Sequence, residues 1–186
     1  VFNCVVYDVG TSSNGAGFEK WSTGSSGCLW YNNTAHNCHY GFRVPDDGCS
    51  STTQITAKNC LAQDCDDGFY AQWSFNASCK NNCSDISSDA PGDDPRTGEV
   101  LFADEDNDDF HLSPSDTVAK GYGTNLYNDA NYPFQTDIDG DDRGGSGAEW
   151  DIGADEYVPL WRPVRIRILI DTSGDLPSSD FQLEAA

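Results

Sequence analysis

Asp137, Asp139 and Asp141 alternate around Gly140, and carboxylates at that spacing suit a calcium-binding loop. An EF-hand would need a bidentate glutamate at the twelfth loop position. Ala148 stands there and Glu149 comes one residue late, so the expectation is a looser calcium site. The competing assignment is a structural turn in which Arg143 pairs with Asp151 or Glu156. Asp104, Asp106 and Asp108 form a second string of the same kind.

Carboxylates also hydrolyse glycosides, and two of them held apart by a water make an inverting pair. Asp66 and Asp67 precede a strand-like run, but His36, His39 and His111 stand in unrelated contexts. A lyase would need a Lys or Arg base beside a metal. Lys20, Arg43, Lys58 and Lys80 show no such constellation. The expectation is a protein that is not an enzyme, with a polysaccharide-binding or polysaccharide-cleaving protein as the alternative. Trp21, Trp30, Tyr31, Tyr40, Tyr70 and Trp73 would stack on sugars in that alternative and fill a core otherwise.

The 186 residues carry 31 acidic and 10 basic side chains, a net charge of −21. Such a surface repels phosphate backbones and anionic lipid, which excludes nucleic acid and acidic membranes as partners. Eight cysteines at scattered spacings, without C-x-x-C, read as disulfides rather than zinc ligands. That implies an oxidising, extracellular compartment. Methionine is absent, at position 1 too, which fits a processed product. No apolar run is long enough to insert into a membrane.

The elements that would hold these residues repeat. Gly-Phe recurs at Gly17-Phe18, Gly41-Phe42 and Gly68-Phe69, in steps of 24 and 27. A second marker recurs at Asn3-Cys4, Asn32-Asn33, Asn59-Cys60 and Asn82-Cys83, in steps of 29, 27 and 23. Short apolar runs lie between the markers, and none shows a sustained helical period. A repeat of this length made of short strands and turns predicts an all-β parallel β-helix, with asparagines hydrogen-bonded along the stack.

That register has consequences. Cys38 and Cys65 each precede a Gly-Phe by the same interval, so they stack and are expected to pair, as are Cys60 with Cys83. Cys28 and Cys49 fall in loops and make a third pair, which leaves Cys4 and Cys79 unassigned. Sequons occur at Asn32, Asn76 and Asn82. Asn76 lies in a loop and is the expected glycan site. Asn32 and Asn82 are either glycosylated or part of the ladder, not both.

Residues 100–123 (V-L-F-A-D-E-D-N-D-D-F-H-L-S-P-S-D-T-V-A-K-G-Y-G), D-I-D-G-D-D-R at 137–143 and D-I-G-A-D-E-Y at 151–157 resemble the C-terminal part of the choice-of-anchor Q proteins. These are bacterial surface and secreted proteins with right-handed parallel β-helix repeats of the pectate-lyase-like superfamily. The resemblance covers residues 100–157, and the repeats before it fit the superfamily in style alone. It departs from the family pattern at Asp116-Thr117-Val118-Ala119-Lys120. It implies right-handed coils, a segment that closes the β-helix and a surface location, with no catalytic activity.

Three regions follow: β-helix coils over 1–98, a closing segment over 99–158 and a β tail over 159–186. Val1 begins inside a coil, so an end with unpaired strand edges is expected. In the tail, Val164, Ile166, Ile168 and Ile170 alternate with Arg165, Arg167 and Leu169 as in a strand. That strand would either cap its own subunit or add to a neighbour and build a filament. The expected function is a non-enzymatic extracellular structural or surface-assembly protein. Its partners would be copies of itself or the rest of a larger surface protein, and glycans in the alternative. Calcium is the cofactor the acidic loop allows.

Overall fold

The computed structural model describes residues 1–10, 14–20, 27–45, 55–71 and 75–159. Among these the chain is all-β, with one 3-10 turn at Glu105–Asn107. Ten strands build three parallel sheets: β1 (Val5–Tyr7), β2 (Ala16–Glu19), β3 (Cys28–Tyr31), β4 (Thr34–His36), β5 (Tyr40–Val44), β6 (Ile55–Lys58), β7 (Leu61–Gln63), β8 (Asp67–Ala71), β9 (Cys83–Ser84) and β10 (Arg96–Thr97). One sheet runs β1-β4-β7-β9-β10, a second β2-β5-β8 and a third β3-β6. From β1 to β8 the chain visits the three sheets in the same order each time. Cys28 registers with Ile55, Thr34 with Leu61 and Tyr40 with Asp67, so all three pairings share one 27-residue offset.

Asparagines and aspartates make the corners. Asn3, Asn32, Asn59 and Asn81 sit at φ of 50°, 50°, 53° and 51°, each just before a strand or bridge of the first sheet. Asp8, Asn37 and Asp64 repeat the conformation on its far side, at 56°, 48° and 54°. These short polar side chains tolerate the left-handed region and bond locally, which is why the repeat uses them. They also bond along the stack: Asn59 Nδ2 donates to Asn32 Oδ1 at 2.9 Å, and Asn37 Nδ2 to Asp8 Oδ1 at 2.6 Å.

The last marker differs from the sequence reading by one residue. Asn81, not Asn82, occupies the left-handed corner, and Cys83 registers with Leu61. A one-residue slip reverses every side chain's face. Cys83 therefore points outward while Cys60 belongs to the interior cluster, and the two do not stack as a pair.

Inside, Phe18, Phe42 and Phe69 stack with ring centroids 4.9 and 4.8 Å apart and near-parallel planes. Val6, Ala35 and Ala62 face them from the first sheet, and Trp30 and Ala57 from the third. The glycine before each phenylalanine serves close approach. A Cβ on Gly41 would lie 2.6 Å from the Gly68 carbonyl oxygen, nearer than any real contact.

Residues 99–157 run along the outer face of the first sheet. Their one hairpin pairs β11 (Phe102–Asp104) with β12 (Asp109–Leu112), antiparallel. Val100, Leu112, Ala119 and Ile152 bury Leu61 and Cys83, while Leu126 and Trp150 bury Tyr31. Each fully buried aliphatic of this size stabilises by about 1.5–3 kcal/mol. Gln63 sets the register of the contact: its buried amide accepts from Val100 N–H at 2.7 Å and donates to Val100 C=O at 3.1 Å. Gln63→Leu keeps the volume and strands both backbone groups, so a loss of about 2–4 kcal/mol is expected in urea unfolding.

Candidate functional site

β12 alternates, so Asp109 and His111 lie on one face of the strand, turned away from buried Phe110 and Leu112. Asp109 Oδ1 bonds His111 Nδ1 and fixes the ring, while His111 Nε2 meets Asp139 Oδ2 at 2.8 Å. Buried Asp155 completes the group. Its Oδ2 accepts from Leu112 N–H at 2.8 Å, and ligand atoms of His111, Asp139 and Asp155 lie within 4.8 Å of one another. The cleft beside them encloses about 320 Å³ and is walled by Val5, Tyr7, Phe110 and Ile138.

The electrostatics are those of a clamped imidazolium. The Asp109 bond raises His111 to about 9, against the opposing effect of burial and with help from Asp139. Burial raises the Asp155 carboxyl above its ordinary range. Protonated His111 thus ties the hairpin to the 137–141 turn through two carboxylates. A second group, His36, Asp64 and Glu105, gathers a histidine and two carboxylates on the outer side of β4 and β7. Among the described residues these two groups alone have a metal-like arrangement, and neither contains Asp137 or Asp141.

Asp137 is instead a backbone organiser. Its Oδ1 accepts from Asp139 N–H at 3.0 Å and Asp141 N–H at 2.7 Å, and its Oδ2 from Glu156 N–H at 3.2 Å. Asp137, Asp139 and Asp141 therefore do not converge as one donor set. Asp151 accepts from Gly121 and Tyr157 N–H at 2.6 and 2.7 Å, and Asp116 from Leu101, Val118, Ala119 and Lys120 N–H. Asp104 is engaged by Asn107 Nδ2 at 2.8 Å.

Arg143 lies at the centre of this network with a wholly buried side chain. Its Nη1 donates to Glu156 Oε2 at 3.0 Å and to the Asp151 carbonyl at 3.3 Å, and Nη2 to the carbonyls of Gly153 and Ala154 at 3.0 and 2.7 Å. Of the two partners expected for it, Glu156 makes the ion pair and Asp151 contributes only its main chain. Burial, then the charge of Asp151, raises Glu156 to about 8, opposed by the Asp151 N–H and by Arg143.

All seven described cysteines are thiols in this structure; Cys49 lies outside the described residues, so its expected pairing with Cys28 does too. Cys38 and Cys65 stack in adjacent repeats, and their thiols donate to the His36 and Gln63 carbonyls at 3.3 and 3.4 Å. The proximity of the two sulfurs lowers Cys38 to about 7 and raises Cys65. Asn76 is half-buried, and its Oδ1 accepts from Ser78 N–H within its own sequon at 2.9 Å. Asn32 and Asn82 are wholly buried; Asn32 Oδ1 accepts from Asn59 Nδ2 in the ladder and Asn82 Oδ1 from Cys60 N–H beside it, so neither side chain is open to a glycan in the folded chain. Val164, Ile166, Ile168 and Ile170 lie outside the described residues.

The sequence reading missed the His111 group. The signal was Asp109-Phe110-His111-Leu112, whose alternation places the acid and the imidazole side by side. Comparison with family models, with curated proteins and with solved structures finds no match to this chain. No helix among the described residues is long and apolar enough to cross a membrane.

Proposed function

We propose that the chain is a section of a right-handed parallel β-helix with a non-catalytic, architectural role outside the cell. The observation that carries the reading is the shared 27-residue offset of three parallel sheets around one column of stacked phenylalanines. A stack of this kind is stiff and extends by adding repeats. The resemblance of residues 100–157 to surface β-helix proteins supports the same role. So does the use of the buried acidic groups there, which satisfy backbone N–H groups rather than face a substrate.

Assembly proceeds by strand addition in this reading. Among the described residues β1 and β2 are the outermost strands of their sheets at the same end. Unpaired strand edges accept another strand. The alternation of Val164, Ile166, Ile168 and Ile170 in the sequence is the pattern that such an added segment would need. Calcium remains a candidate ligand of the acidic surface, and Cys38–Cys65 is the pair closed in an oxidising compartment.

Negative-stain electron microscopy of the whole chain, beside a chain ending at residue 159, tests the assembly. End-to-end particles that disappear on truncation are the expected result. Dispersed particles in both samples would sink the assembly role. Binding of a defined neutral or acidic glycan by those same dispersed particles would move the function to polysaccharide recognition.

A further inference from the structure

His36 leaves the outer face of β4 with its ring against Phe102 and Phe110, at centroid distances of 5.9 and 5.0 Å. Its Nε2 is buried and makes no hydrogen bond. Asp64 Oδ2 lies 3.2 Å from it and Glu105 Oε2 3.7 Å, yet neither is placed to accept a proton from it. Native structures rarely leave a buried polar atom in that condition, so a missing partner is the natural explanation. The His111 group offers the contrast, because its Nε2 is already bonded to Asp139 at 2.8 Å.

The separations fit a metal better than a proton. Nitrogen and carboxylate ligands about 2.0–2.2 Å from a tetrahedral zinc ion lie about 3.4 Å from each other. The two distances at His36 fall on either side of that value, and the three ligand atoms lie within 4.8 Å of one another. The donors are also held from three directions. His36 comes from β4, and Glu105 from the 3-10 turn between β11 and β12. Asp64 comes from the left-handed corner after β7, where its N–H is held by Asp85 Oδ2 at 3.0 Å.

We propose that His36, Asp64 and Glu105 bind one divalent cation of the zinc class, with water in the fourth position. The ion joins two successive repeats to the hairpin that covers them. One imidazole and two carboxylates suit zinc or cobalt(II) rather than calcium, which takes oxygen ligands in greater number. The site is independent of the assembly role.

Cobalt(II) titration of the whole chain, read by visible absorption, tests the site. One equivalent with the strong d–d bands of a tetrahedral nitrogen and oxygen environment is expected. Asp64→Asn retains the left-handed preference, and Glu105→Gln alters an exposed side chain, so both variants are expected to fold. Each is expected to weaken binding by at least about tenfold, since loss of even a supporting group costs that much. Asp139→Asn should bind as the parent does. The absence of saturable binding would overturn the proposal. So would thiolate charge-transfer bands, or loss of binding in Asp139→Asn with retention in Asp64→Asn.

Discussion

At about pH 9, above the value to which burial raises Glu156, Arg143→Leu is expected to lower stability by about 3–5 kcal/mol, the usual result of removing one partner of a buried ion pair. A domain of this size is stable by only about 5–15 kcal/mol, so the variant should lie near the folding threshold. The loss has two parts. Glu156 keeps its burial and loses its cation, and the carbonyls of Gly153 and Ala154 lose their donors. Those carbonyls belong to the turn that carries Asp155, with Ile152 beside it, so the hairpin and the first sheet lose their common support. Arg143→Lys should fall between, because one ammonium cannot reach the positions that the planar fork reaches. Arg143→Leu/Glu156→Leu should recover part of the loss, since an apolar pair leaves no buried charge. Urea midpoints at about pH 9, where Glu156 is ionised, measure all three. An Arg143→Leu variant within about 0.5 kcal/mol of the parent would show that the network contributes nothing.

What could be read from the sequence follows from which interactions are periodic. The Gly-Phe marker is periodic because close backbone approach and phenylalanine stacking recur in every repeat, and its offsets of 24 and 27 are the observed registers of β2 on β5 and of β5 on β8. The asparagine marker was legible through its first three members for the same reason. It failed at the fourth because Asn81 and Asn82 are both asparagines, and only backbone conformation tells which one turns the corner. The Cys60–Cys83 expectation failed with it. The acidic motifs after residue 100 were legible as important, but not in their backbone-organising role. Asp137 has the spacing of a calcium ligand, and in the fold its two oxygens also accept from N–H groups of two segments. No spacing rule anticipates a contact between residues 63 and 100, or a histidine at 36 meeting a glutamate at 105. Such contacts are set by where the 99–157 segment lies on the sheet, which is tertiary information.

Between pH 5 and 9 stability is expected to fall as pH rises, and two groups drive it. Glu156 carries a folded pKa of about 8 against an ordinary value of 4.5. From 4.5 to 8 the folded chain therefore holds a proton that the unfolded chain has released, and each step up in pH favours unfolding. The side chain is largely buried, so the effect is on the order of a few kcal/mol across that window. His111 acts with the same sign in a later window. Its folded value of about 9 exceeds the ordinary 6.5, so its contribution is complete below 6.5 and is lost by 9. With 56% of the His111 side chain exposed, solvent screening limits that contribution to about 1 kcal/mol or less. The opposite trend begins at the acid end. His111 holds Asp109 below its ordinary value, and Asp129 is held below its own, against the opposing effect of burial, by Lys58 and the Tyr132 and Asn131 N–H groups, so their contribution disappears as pH falls through the carboxylate range. Melting temperatures at fixed physiological ionic strength, taken at unit steps of pH, measure the slope without letting the −21 charge vary its own screening. Glu156→Gln should flatten the profile from about 4.5 to 8, and His111→Asn from about 6.5 to 9. A parent profile that rises or stays level over that range would mean that Glu156 is ionised in the fold and that Arg143 outweighs its burial.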